Sequence, residues 1–250
     1  MESNKINIIQ LRPAIDLMGG KCVRLVGGKF DQVTDYGSDP LEFAKRFEDW
    51  GLEYLHLVDL DAAKTGLLSQ YRWVERIVSK TAMKVDVGGG IQSEDAIRIA
   101  FESGASQVNI GTAAVKNPDL VYKWLKTFGP ERIMISMDMQ VDQIRIRGWV
   151  DDAEIEWKDF LQNFVKMGSK YFVCTDTNKD GMLAGPSFEM YNNIRKAAPD
   201  IFIMASGGVA SMDDVLQLQE SGVQGVIIGK ALYEGNITEE DIKSFTFLQK

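Results

Sequence analysis

The chain repeats itself at long range. Gly89-Gly90-Ile91-Gln92-Ser93 returns as Gly207-Gly208-Val209-Ala210-Ser211, 118 residues on (207 − 89). The register then holds without a gap: Glu102-Ser103-Gly104 comes back as Glu220-Ser221-Gly222, and Ile110-Gly111-Thr112-Ala113 as Ile228-Gly229-Lys230-Ala231. A second echo joins Ala14-Ile15-Asp16-Leu17 to Ser136-Met137-Asp138-Met139, 122 residues on (138 − 16). Solenoid repeats recur every ~20–50 residues because each is one supersecondary unit. A period this long has room for four βα units, so it describes two halves of one barrel, each bringing an Asp and a glycine pair.

Short Val- and Ile-rich runs alternate with segments of helical period, the pattern of parallel strands covered on both faces. Eight strands are expected, at Leu11 to Asp16, Tyr54 to Asp59, Lys84 to Val87, Gln107 to Ile110, Ile133 to Met139, Tyr171 to Thr175, Ile201 to Ser206 and Gly225 to Ile228. Helices fill the intervals. Pro40 to Trp50 has Ser38 and Asp39 as capping candidates, Pro40 in its first turn and Gly51 as its stop. Pro118 and Ser187 stand near the starts of two later helices, and Gly104, Gly129, Gly168 and Gly222 where helices should end. The expected fold is α/β, a (β/α)₈ TIM barrel built from two duplicated half-barrels. Residues 1–250 make one domain, close to the ~250 residues such a barrel takes. An open doubly wound sheet is the alternative.

Composition narrows the function. No apolar run approaches the roughly 20 residues of a membrane span, and 26% of residues are charged, so a soluble chain is expected. Met1-Glu2-Ser3-Asn4-Lys5 lacks the basic-then-apolar pattern of a secretory signal, and both cysteines, Cys22 and Cys174, sit among apolar neighbours. These features point to the cytoplasm. A net charge of −8, with 28 basic residues that form no block, argues against nucleic acid as a partner. One histidine and two separated cysteines leave little for a His/Cys metal site, while composition leaves an all-carboxylate site open. Chemistry without metal or cofactor is the expectation, and a monomer the default.

Glycines follow the third and seventh strands, as Gly88-Gly89-Gly90 and Gly207-Gly208, each before a helix opened by Ser93 or Ser211. Glycine lets a backbone approach an anion closely, and the free N–H groups of a helix start stabilise it. The fourth and eighth strands end in Gly111-Thr112 and Gly229-Lys230, neighbours of those loops in a barrel. Two phosphate cradles result, half a barrel apart, and they call for a small molecule with a phosphate at each end. Tight βα turns are the other reason for such glycines.

Asp16 ends the first strand and Asp138 the fifth, so in an eight-stranded ring they face each other across the mouth. Barrel active sites lie at the carboxyl ends of the strands, and two carboxylates in differing environments can divide into an acid and a base. Strand-end aspartates that cap loops or pair with a nearby Arg are the alternative. After the sixth strand, Thr175, Asp176 and Asp180 could orient a substrate, though Asp180-Gly181 is equally a plain turn. His56, between Leu55 and Leu57, is either a packed core histidine or a site residue. Trp149, in Arg147-Gly148-Trp149, is either a core aromatic or a loop residue able to stack on a flat ring.

Nearly the whole chain resembles the ProFAR isomerase family of histidine biosynthesis, which opens the ribose of phosphoribosylformimino-aminoimidazole carboxamide ribotide. The motifs that carry the likeness are Pro13-Ala14-Ile15-Asp16-Leu17, His56-Leu57-Val58-Asp59-Leu60, Val87-Gly88-Gly89-Gly90-Ile91, Gly148-Trp149, Asp180-Gly181-Met182-Leu183-Ala184-Gly185-Pro186 and Ser206-Gly207-Gly208-Val209, in that order. The resemblance implies an Amadori rearrangement of an aminoaldose to an aminoketose, without metal or cofactor. It assigns Asp16 as the general base at ribose C2, Asp138 as the general acid at the ring oxygen, and Thr175 as a residue that holds the substrate in line. Trp149 would belong to a loop closing over the aminoimidazole. Arg24, His56, Gly89, Gly90, Gly111, Thr112, Asp180, Gly207, Gly208, Gly229 and Lys230 complete the expected binding site.

A sister family, the cyclase subunit of imidazole glycerol phosphate synthase, shares the duplication, both aspartates and both cradles. It resembles Cys-Leu-Asp-Val at the first strand, with a lysine eight residues beyond the Asp, where this chain has Ala14-Ile15-Asp16-Leu17 and Arg24. Gly148-Trp149 also favours the isomerase. An isomerase acting as well on phosphoribosylanthranilate, and a non-catalytic binder of phosphorylated metabolites, are the other readings. The chain departs from the isomerase pattern at Gln92, where Arg is usual, and at Met182, where Thr is usual. Gln lacks the planar, permanently charged fork of Arg, so substrate contacts can differ there.

Overall fold

The structure, a computed structural model, describes residues 8–26, 29–37, 39–140, 142–146 and 151–247. Its strands are β1 (Gln10–Met18), β2 (Lys21–Val26), β3 (Lys29–Gly37), β4 (Tyr54–Asp59), β5 (Lys84–Gly88), β6 (Gln107–Ile110), β7 (Ile133–Gln140), β8 (Gln143–Ile146), β9 (Asp151–Glu156), β10 (Tyr171–Asp176), β11 (Phe202–Ser206) and β12 (Gly225–Ile228). The eight expected strands are β1, β4, β5, β6, β7, β10, β11 and β12, and they pair in parallel in that order. Pairing of β12 back to β1, from Gln10↔Gly225 to Pro13↔Ile228, closes the ring. A closed parallel ring with helices between its strands is a TIM barrel and rules out the open sheet.

The strands are apolar on both sides because both sides are covered. Along β1, Leu11, Ile15 and Leu17 join the large core between ring and helices. Ala14 packs instead with Met134, Val173, Met204 and Ile227 of β7, β10, β11 and β12, in a separate cluster inside the ring. Side chains alternate along a strand, so Arg12 and Asp16 share Ala14's inward side. The helix Pro40–Asp49 is capped by Asp39, which accepts the Leu41 N–H at 2.9 Å, while Ser38 lies outside the described residues. Ser93 and Ser211 cap the helices Glu94–Glu102 and Met212–Glu220, as their repeat positions require. No helix among the described residues is long and apolar enough to cross a membrane.

Two hairpins were not expected from the sequence. β2 and β3 extend antiparallel from β1, with Asp16 aligned to Val23, and β8 and β9 extend from β7, with Met139 aligned to Ile144. Each half-barrel therefore carries its extra hairpin on its first strand. β3 lacks a Val/Ile run because water reaches it: Gln32, Val33, Thr34 and Asp35 are all exposed.

Candidate active site

At the carboxyl ends of the ring strands lies a cavity lined by Asp16, Arg24, His56, Gly88, Gly89, Gly90, Gly111, Thr112, Asp138, Thr175 and Asp180. β1 and β7 stand four places apart in the eight-strand ring, so Asp16 and Asp138 enter this cavity from opposite walls. Thr175 is aligned with Asp138 across the β10–β7 pair and with Ser206 across β10–β11. Strand register thus places a hydroxyl beside the second carboxylate.

The β2 strand turns back along β1 and delivers Arg24 to the mouth. Its guanidinium donates to Asp16 Oδ2 and to Asp180 Oδ1, each at 3.0 Å, so one cation holds two carboxylates. Burial raises the Asp16 carboxyl above its ordinary value, Asp180 adds to the rise, and Arg24 and His56 oppose it. The Asp16 carboxyl therefore sits between a burial that favours its neutral form and a guanidinium that favours its charge.

The glycines of the first cradle have a packing reason as well as a place on the cavity wall. Gly89 and Gly90 take φ of +87° and +71°, and a Cβ on them would stand 2.1 Å from the Asp59 carbonyl oxygen and 2.4 Å from the Ala62 Cβ. Only glycine lets this loop run against the preceding one. At the second cradle, Gly208 approaches the Gly185 carbonyl in the same way, with a Cβ distance of 2.5 Å. Gly207, Gly208, Gly229 and Lys230 do not line the cavity. A Cβ at Gly229 would stand 2.6 Å from the Arg24 Cζ, so the guanidinium lies directly over that glycine. The Lys230 ammonium donates to the Gly181 carbonyl at 3.1 Å.

Other anticipated residues divide. Asp176 is tied to the Asn178 N–H at 2.9 Å and to the Ser187 hydroxyl. Asp59, at the corresponding end of β4, accepts from Ala62, Ser69 and Gln70. Both carboxylates pin loops. Gln92 lines the cavity, whereas Met182 is exposed and does not. Trp149, together with Gly148, lies outside the described residues.

The structure also brings in residues that sequence reasoning passed over. Arg145 of β8, Asn109 and Ser136 line the cavity, and Ser136 donates to Asn109 Oδ1 at 2.6 Å. Arg145 had a signal: it follows Asp138 by seven residues (145 − 138), almost as Arg24 follows Asp16 by eight (24 − 16). Beneath the cavity, Arg12 Nη1 donates to Asp86 Oδ1 at 2.7 Å, and Asp86 Oδ2 lies 2.5 Å from His56 Nδ1. A charged residue between Leu11 and Pro13, and another between Val85 and Val87, were the marks of this pair, since neither belongs in a strand covered on both faces.

Fold and cavity together define a class: a (β/α)₈ barrel of the enzyme type, with its main cavity at the carboxyl ends of the strands. Over residues 10–238 the chain matches the family described as Histidine biosynthesis protein, and it belongs to that family. It is similar to proteins of Flavobacterium johnsoniae (44% identity, covering 95% of this chain and 99% of the relative) and Bacteroides thetaiotaomicron (44%, 95% and 100%). A protein of Parabacteroides distasonis is similar too (44%, 96% and 100%). All three are named 1-(5-phosphoribosyl)-5-((5-phosphoribosylamino)methylideneamino) imidazole-4-carboxamide isomerase.

Proposed function

We propose that the chain is the intramolecular isomerase of histidine biosynthesis that converts the aminoaldose ProFAR to its ribulosyl isomer by an Amadori rearrangement. The observation that carries this reading is the entry of Asp16 and Asp138 into one cavity from opposite walls, in a chain whose near full-length relatives bear that isomerase's name. Those names do not favour the cyclase or the dual-substrate enzyme.

Asp16 takes the proton from ribose C2, and Asp138 protonates the ring oxygen as the sugar opens. Each positioned transfer is worth on the order of 10²–10⁴ in rate. The Thr175 hydroxyl, beside Asp138, holds the sugar in line. One phosphate sits against Gly89, Gly90, Gly111 and Thr112. The other sits against Gly207, Gly208, Gly229 and Lys230, where it also meets the Arg24 charge. His56 and Asp180 contact the sugar between them, and Trp149 closes over the aminoimidazole. Both steps are proton transfers and use no metal or cofactor. The protein works as a single-domain monomer in the cytoplasm, with this small molecule rather than nucleic acid as its partner.

The test is turnover of ProFAR by the purified chain. Asp16→Asn and Asp138→Asn are each expected to cut the rate at least ~100-fold with the fold intact. Near-normal rates in both variants reject the mechanism, and tight ProFAR binding without conversion by the wild type makes the chain a binder.

A further inference from the structure

Asp86 has no exposed surface and Arg12 almost none. Their charges stand in mid-strand inside the ring, where an apolar side chain would be buried at no electrostatic cost. Arg12 Nη1 holds Asp86 Oδ1, and Arg12 Nη2 donates to the side-chain oxygens of Gln10 and Gln107 at 2.9 and 3.0 Å. Replacing a buried ion pair by well-packed apolar residues is often neutral or stabilising, so stability alone is a weak reason for this one.

The third member of the cluster supplies a better reason. Burial opposes ionisation of Asp86, but His56 and Arg12, by charge and by hydrogen bond, hold its carboxyl below the ordinary range. The Arg12 ion pair and the bond to Nδ1 remain when the imidazole is neutral. An ionised carboxylate only accepts hydrogen bonds, so the proton between Asp86 Oδ2 and His56 Nδ1 belongs to the imidazole. A neutral imidazole has one N–H, which leaves Nε2 with a lone pair. His56 lines the cavity, and its β1 partner in the register is Ala14, two residues before Asp16.

We infer that Asp86, seated by Arg12, is a positioning residue that fixes His56 with its proton on Nδ1 and presents a bare Nε2 to the cavity as the acceptor for a substrate hydroxyl. The sugar as the partner of Nε2 rests on the isomerase reading; the tautomer does not. In that rearrangement the enolic C2 hydroxyl loses its proton to become the ketone oxygen while C1 gains one. That hydroxyl therefore needs an acceptor, and Nε2–H would be the wrong partner.

His56 is the chain's one histidine, so a long-range proton–nitrogen correlation spectrum of the isotope-labelled protein reads a single imidazole. At alkaline pH, where a free imidazole is neutral, the expected pattern is a protonated Nδ1 and a bare Nε2. A proton on Nε2, or averaging of the two nitrogens, overturns the inference. Asp86→Asn alone leaves Arg12 as a lone buried cation, so the companion variant is Arg12→Met with Asp86→Asn. In this variant the imidazole pattern is expected to average or reverse. Turnover kcat is expected to fall about 10- to 100-fold, the scale seen when the residue orienting a ligand histidine is lost, with KM nearly unchanged. An unchanged tautomer, or a scrambled tautomer with normal kcat, removes the assigned role. If the wild type does not turn over ProFAR, the isomerase reading falls, and the two spectra still judge Asp86.

Discussion

Arg24 lies eight residues from Asp16 in the chain and donates to it at 3.0 Å, because the β1–β2 turn folds the second strand back along the first. The same guanidinium reaches Asp180, far away in sequence, on the loop after β10. A local hairpin and a barrel closure thus meet on one cation, and the Asp16 charge is set by both.

The two partners pull the Asp16 carboxyl in opposite directions, Arg24 downward and Asp180 upward. If Asp16 is the base, the acidic limb of the kcat/KM profile belongs to it. Arg24→Gln is expected to move that limb to higher pH and Asp180→Asn to lower pH. Profiles of both variants against wild type check the pair, and shifts of the same sign contradict the assignment.

Stability should carry the same signature. Burial lifts Asp16 above the ordinary 3.8, so the folded chain keeps a proton that the unfolded chain has released. This contribution to stability is full below the ordinary value and is lost as pH rises through the folded one. Asp16→Asn lacks that loss, so thermal melts across pH should show its stability gaining on wild type from the ordinary carboxylate range upward. A parallel pair of curves would contradict the raised value.

Arg12 and Asp86 are a buried ion pair, so single and double substitutions should differ. Arg12→Met leaves Asp86 with only His56 and is expected to cost about 3–5 kcal/mol. Adding Asp86→Asn removes the stranded charge and should recover part of that cost. Urea unfolding of the two variants measures the difference.

Gly89→Ala should be much worse than Gly168→Ala. Both positions have positive φ, which costs an L residue about 1 kcal/mol, but a Cβ at Gly168 meets nothing within 4 Å. At Gly89 it would stand 2.1 Å from the Asp59 carbonyl oxygen, so two loops must part. Overpacking adds about 1–3 kcal/mol, and denaturation midpoints for the two variants should separate accordingly.

All eight ring strands were legible in the sequence, because strands covered on both faces write themselves as Val- and Ile-rich runs. Duplication then gave the ring order and put Asp16 and Asp138 on opposite walls. β3 was illegible for the converse reason: the half-wet strand Lys29–Gly37 carries Asp, Gln and Thr where a ring strand carries Ile. The family resemblance marked Arg24 as a candidate, but nothing in the sequence marked Asp180 as its second partner.

Sequence by itself determined the barrel, its two halves and the carboxylate that each half brings to the mouth, since burial pattern and repeat are properties of the chain read in order. Tertiary structure alone decided the electrostatics. Arg24 lies over Gly229 between Asp16 and Asp180, and Asp86 faces both Arg12 and His56, only because ring closure brings together residues that no local spacing relates. Proton affinities depend on those through-space distances and on burial, neither of which is written in the order of the residues.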